Sequence, residues 1–221
     1  FKRNGLYGHF YDGERFAFFS KAILEMLVNI DFYPDIIHTN DWQTALVPTY
    51  YYLFYSKNPW YHNIKNIFTI HNIQYQGVYG EELIDNVVGI SHAHKSLLEY
   101  DGTVNLMKGA IECADRVTTV SPSYANEILD PWYSHGLDPI LNQRSWKLSG
   151  ILNGIDYEEF NPDTDNYIDQ KYNAYNYREE KLKNKRELQK QLGLEQDDNK
   201  LMIGMVTRLS EQKGLDLVAY I

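Results

Sequence analysis

Arg208 and Lys213 stand five positions apart in the run Thr207-Arg208-Leu209-Ser210-Glu211-Gln212-Lys213-Gly214, directly after the apolar stretch Leu201-Met202-Ile203-Gly204-Met205-Val206. That stretch reads as a short buried strand, and Gly214-Leu215-Asp216-Leu217-Val218 reads as the opening of a helix. Ligands of α/β sheets collect where strands end and helices begin, and helix-start amides favour an anion there. Arg208 would add a planar fork of donors and Lys213 a compact point charge, a pair suited to a diphosphate.

Two further strand ends carry polar side chains. Asp35-Ile36-Ile37-His38 is a brief strand that delivers His38, Asn40 and Asp41 at its carboxyl end, and Asn66-Ile67-Phe68-Thr69-Ile70 ends at His71-Asn72. These groups admit a metal site, an acid/base pair or a sugar-binding cleft. A zinc site needs three or four convergent ligands at short spacings, which neither these residues nor His92-Ala93-His94 provide. A serine nucleophile is unsupported because no Gly-x-Ser-x-Gly elbow occurs, and Cys113 lies in an apolar helix pattern that suits a buried, inert thiol.

The surrounding elements alternate. Asp12 to Asn29 has the helical period, with Phe16, Phe19, Ile23 and Leu27 on one face, before Pro34 breaks it. A helix is expected over Trp42 to Phe54, a loop over Ile73 to Gly80, a helix over Leu106 to Ala114, a strand over Arg116 to Val120 and a helix from Ser123 to Ile128. Strands separated by helices of this length imply parallel pairing with both sheet faces covered, a doubly wound α/β architecture. Leu148 to Asp156 is an extended segment ending in an Asn-Gly turn, followed by Asn161-Pro162-Asp163. This divides the chain into residues 1–150 as one α/β domain, 151–165 as a linker and 166–221 as the start of a second. Arg178 to Leu192 is a charged amphipathic helix predicted to turn Leu182, Leu188 and Leu192 inward, with Gly193 as its cap.

The totals set outer bounds. A chain of 221 residues with 43% hydrophobic and 14% aromatic content can fill a core. Lys plus Arg of 21 against Asp plus Glu of 30, a net charge of -9, argues against nucleic acid or an anionic membrane as the main partner. The apolar runs are too short to span a bilayer, and a single cysteine fits a reducing compartment, so the cytoplasm is the expected location. The chain begins at Phe1 and ends at Ile221 within a promising helix, so an internal piece of a longer polypeptide is expected.

Five ordered segments resemble those of bacterial glycogen synthases and plant starch synthases. RLSEQKGLD is similar to RLxxQKGxD; DIIHTNDWQTAL carries HxxDWxxxL; FTIHNIQYQG carries FTxHNxxYQG; VTTVSPSY and GILNGID match two more, so the likeness extends over nearly the whole chain. The resemblance implies the GT-B fold, two Rossmann-like domains facing across a cleft, both incomplete here. It implies transfer of glucose from ADP-glucose to the non-reducing end of an α-1,4-glucan with retention of configuration, and no metal or cofactor. Carried over by position, Arg208 and Lys213 would hold the donor diphosphate and stabilise charge on the leaving nucleotide, with Gln212 and Asn153 near the donor. His71 would reach the donor glucose, Asp41 would support the reacting sugar or the acceptor, and Tyr7, in Gly5-Leu6-Tyr7-Gly8, matches a donor-side tyrosine. The family's Lys-x-Gly-Gly-Leu and Glu-Pro-x-Gly-Leu segments are absent from these residues. Two alternatives stand beside this reading: a GT-B transferase with a smaller acceptor, and a catalytically inactive glucan-binding homologue.

Overall fold

The computed structural model describes residues 4–5 and 8–220, so the expectation placed on Tyr7 lies outside the described residues. The chain divides between Asn153 and Gly154 into two compact units.

The first unit opens with α1 (Asp12–Asn29), whose first turn holds Asp12 and Glu14 against the positive end of the helix dipole and whose inner stripe buries Ala17, Ser20, Leu24 and Leu27. Strand β1 (Ile36–Asn40) follows, with Ile37 and Thr39 turned inward. The helix expected after Trp42 forms in three hydrogen-bonding patterns: a tight turn Trp42–Thr44, then α2 (Leu46–Tyr50), then a widened turn Tyr51–Tyr55. Pro48 falls in the first turn of α2, where its missing N–H costs no helix bond.

Strand β2 (Lys65–Ile70), the short strands β3 (Val78–Tyr79), β4 (Glu99–Tyr100) and β5 (Thr103–Asn105), helix α3 (Leu106–Cys113), strand β6 (Arg116–Thr119), helices α4 (Pro122–Glu127) and α5 (Asp138–Gln143), and strand β7 (Leu148–Gly150) complete the unit. The main sheet is parallel throughout in the order β1-β2-β6-β7, as the alternation of strands and helices requires. Phe68 and Ile70 of β2 are fully buried, as are Leu46 and Val47 of α2 and Leu106, Met107, Ala110 and Ile111 of α3.

The loop expected over Ile73 to Gly80 contains β3, which joins β5 and β4 in a small antiparallel sheet. Its strands are two or three residues long, too short to leave a period in the sequence. The turn between β4 and β5 is Asp101-Gly102 with φ of 49° and 71°, the pair of positive angles that a two-residue hairpin demands.

In the second unit the fifteen-residue helix α6 (Tyr177–Gln191) forms where expected, and Gly193 just beyond it has φ of 67°, the left-handed conformation of a helix stop. Its predicted inner face is corrected: Leu188 and Leu192 are exposed, Leu182 is partly buried, and Gln189 is the buried residue. Polar pairing decides the orientation, because Arg186 is bonded to Asp198 and Lys185 to the carbonyls of Asp198 and Lys200. The strand predicted over Leu201 to Val206 does not form, and Leu201 is 85% and Ile203 84% exposed. A parallel strand exists only beside a partner, and no strand lies in this unit among the described residues. Beyond it come a tight turn, Glu211–Lys213, and α7 (Leu215–Tyr220). No helix among the described residues is long and apolar enough to cross a membrane.

Candidate functional site

Parallel pairing of β1 with β2 sets Asn40 opposite Thr69, so the two chains leave the sheet side by side. Asp41, the next residue, has φ of 54° and ψ of 179°, a conformation almost confined to glycine. Hydrogen bonds hold it there. Its N–H donates to the Thr69 carbonyl at 2.9 Å, and its carboxylate Oδ1 accepts from the N–H of His71 at 2.8 Å and of Asn72 at 3.4 Å. The carboxylate is thus turned across to the neighbouring strand end, where it anchors the backbone that carries His71. The imidazole is fixed too: Nε2 of His71 lies 3.0 Å from Oδ1 of Asn40. Asn40 is in turn gripped by Thr44, whose hydroxyl accepts from the Asn40 N–H at 2.7 Å and donates to its carbonyl at 2.8 Å.

His38 does not join this cluster. Its Nε2 is 2.6 Å from the Thr69 hydroxyl, which is 2.6 Å from that of Thr118, so the ring is taken up by a polar chain across three strands.

The loop after β2 is fastened at several points. Trp42 is buried, edge-on to Phe16 with centroids 5.0 Å apart, and a Cβ on Gly77 would lie 2.8 Å from its Cε3. Gly77 also has φ of 67°, so the position is closed to other residues on two counts. Gln76 is buried, donating through Nε2 to the carbonyls of Ile73 and His135 at 3.0 and 3.1 Å and accepting from Asn105 at 2.6 Å. Tyr124 of α4 accepts at its hydroxyl from the Ile73 N–H at 3.3 Å, and burial raises its pKa.

Asn153, the last residue of the first unit, is exposed. Arg208, Gln212 and Lys213 sit on one turn of the second unit: Ser210 N–H donates to the Arg208 carbonyl at 2.9 Å, and Lys213 N–H to the Ser210 carbonyl at 3.0 Å. The side chains of Arg208, Gln212 and Lys213 are exposed. Those of Arg208 and Lys213 make no ion pair or hydrogen bond among the described residues, which leaves both charges available to an anion. Gly214 closes the turn with φ of 67°.

Asp41 and His71 are therefore brought together, and Arg208, Gln212 and Lys213 share a turn. Asn40, Thr44, Gln76 and Tyr124 do the fastening, and sequence reasoning assigned none of them a role. Asn40 alone left a signal, as the polar residue at the carboxyl end of a strand. Among the described residues no three His, Cys, Asp or Glu side chains converge as metal ligands do.

A family model described as the starch synthase catalytic domain matches residues 1–143. The chain is 50% identical to a glycogen synthase of Lachnoclostridium phytofermentans over 99% of its own length and 46% of the relative's. It is 46% identical to a glycogen synthase of Exiguobacterium sibiricum, covering all of this chain and 47% of that one. Among solved structures, the catalytic domain of starch synthase IV from Arabidopsis thaliana, bound to ADP and acarbose, superposes with a TM-score of 0.83 at 37% identity, over 99% of this chain and 45% of that chain. The chain spans about half the length of the curated relatives it matches.

Proposed function

This chain belongs to the starch synthase catalytic-domain family, which it shares with bacterial glycogen synthases, and from that premise we propose that the protein containing it transfers glucose from ADP-glucose to the non-reducing end of an α-1,4-glucan. The α configuration of the donor is kept.

The observation that carries the proposal is the junction of Asp41 with His71 at two adjacent parallel strand ends, in a chain that aligns with glycogen synthases over its whole length. A carboxylate spent on two backbone amides is an anchor, and what it anchors is an exposed imidazole. His71 contacts the donor glucose. Arg208 and Lys213 receive the diphosphate, where a planar fork and a point charge stabilise the negative charge that grows as the glycosidic bond breaks. Gln212 and Asn153 contact the donor. The ADP of the solved starch synthase IV complex, a nucleoside diphosphate, is the leaving group this reaction releases, and the acarbose in it has the character of an oligosaccharide.

Two cationic side chains neutralise the diphosphate, so no metal is called for. Transfer with retention in many hydrolases uses a carboxylate nucleophile beside an acid. Among the described residues Asp41 is the carboxylate at the ends of β1 and β2, and its Oδ1 accepts from two backbone N–H groups, which supports a reaction in which leaving group and acceptor share one face of the sugar. The protein works in the cytoplasm, which suits a chain with a single cysteine.

The test is the stereochemistry and linkage of the product. Proton NMR of maltooligosaccharide extended by the full-length protein should show a new α-1,4 anomeric signal at the non-reducing end. A β-linked product, or free glucose as the sole product, would sink the proposal.

A further inference from the structure

We propose that Asn40 is a positioning residue for His71, holding the imidazole so that Nδ1 alone faces the substrate and faces it as a hydrogen-bond acceptor. The inference rests on the reading of His71 as the contact to the donor glucose, and it adds which atom makes that contact and what sets it.

A histidine has two side-chain rotations to fix once its backbone is placed. The backbone is placed by Asp41, whose carboxylate takes the His71 N–H at 2.8 Å. The rotations are fixed by Asn40, with Oδ1 3.0 Å from Nε2. Asn40 can serve as a reference point because it is itself immobilised, its N–H and carbonyl both bonded to the Thr44 hydroxyl and its strand paired to β2. Whichever way the Asn40 amide is turned, Nε2 is the occupied nitrogen, and Nδ1 has no partner among the described residues. With Oδ1 toward the ring, Nε2 carries the proton and Nδ1 presents its lone pair, which suits a sugar hydroxyl as donor.

Stability does not account for the pair. Asn40 and His71 are both exposed, and a hydrogen bond between two exposed side chains adds little net stability, because each group can bond to water instead. Orientation is what the contact supplies. Asn40 acts through His71 and does not itself touch the sugar.

The experiment uses the full-length protein. Asn40→Leu, close in size and without an acceptor, should lower kcat roughly tenfold with KM for the donor within about twofold, the size of one lost orienting bond. Asn40→Asp keeps an oxygen in place and should retain most of kcat. In a His71→Ala background, Asn40→Leu should cost nothing more, because its effect passes through the missing ring. Unchanged melting temperature in Asn40→Leu goes with the proposal. Wild-type kcat in Asn40→Leu, or an equal further loss in the His71→Ala background, overturns it. If the full-length protein transfers no glucose at all, the functional reading fails separately, and the positioning claim is read from side-chain 15N spectra of histidines in this chain. A His71 signal protonated at Nε2 in the parent and averaged between tautomers in Asn40→Leu supports the claim, and identical spectra refute it.

Discussion

Oδ1 of Asp41 accepts the backbone N–H of His71 at 2.8 Å, so the residue just past the end of one strand holds the residue just past the end of its neighbour. The price in backbone strain, φ of 54° with ψ of 179°, falls on Asp41. Two effects therefore separate on substitution. Asp41→Ala loses the acceptor and keeps the strain, and should destabilise the protein by about 1–3 kcal/mol. Asp41→Gly loses the acceptor and relieves the strain, and should be the milder change. Urea unfolding followed by tryptophan fluorescence orders the two, and a glycine variant less stable than the alanine one contradicts the strain account.

Gly77→Ala should be destabilising by about 1–3 kcal/mol, since the new methyl would meet the Trp42 ring at 2.8 Å on a backbone with φ of 67°. Trp42 directly follows Asp41 in the chain, so the same variant should lower kcat. Thermal unfolding with the transfer rate measured on the same samples checks both, and full stability would show that the loop has room to move.

Lys213→Ala in the full-length protein should raise KM for the donor and lower kcat together, a loss of about 2 kcal/mol or more in kcat/KM. Arg208→Lys should recover little of the Arg208→Ala defect, because a point charge does not reproduce a two-pronged contact. Steady-state kinetics with varied donor decide it: donor parameters equal to wild type in either alanine variant would remove that residue from the diphosphate site.

Cys113 has its thiol pushed from 9.0 up to about 11, first by burial, with the Thr49 contact working the other way. The folded chain keeps a proton that the unfolded chain releases. The stabilisation is complete below about pH 9 and is lost as pH rises toward about 11, an effect of the order of 2 kcal/mol. Comparing unfolding free energies of the protein and Cys113→Ala at pH 8 and pH 10.5 isolates it from the tyrosines. Iodoacetamide should also label Cys113 far more slowly in the folded than in the unfolded chain at pH 8, and equal rates would show an open thiol.

What could be read in advance follows from how each signal is made. Strands β1, β2 and β6 and helices α1, α3 and α6 are long enough to show their period, and their alternation gave the parallel sheet. The small antiparallel sheet was missed because β3 and β4 have two residues each, too few to show a period. Leu201 to Val206 has a strand's composition, and composition cannot supply the partner that a ladder needs. At the site, residue types located Asp41 and His71, since polar groups at strand ends stand out. The bond between them was not legible, because it joins residues 30 positions apart and uses a backbone N–H that every residue possesses.

The central claim is tested most directly by incubating the full-length protein with glycogen and labelled donor, ADP-glucose and UDP-glucose in parallel, and counting label in the precipitated glucan. The account predicts incorporation from ADP-glucose, abolished or sharply reduced in His71→Ala. No incorporation from either donor, in a protein that is folded and binds glucan, would contradict it.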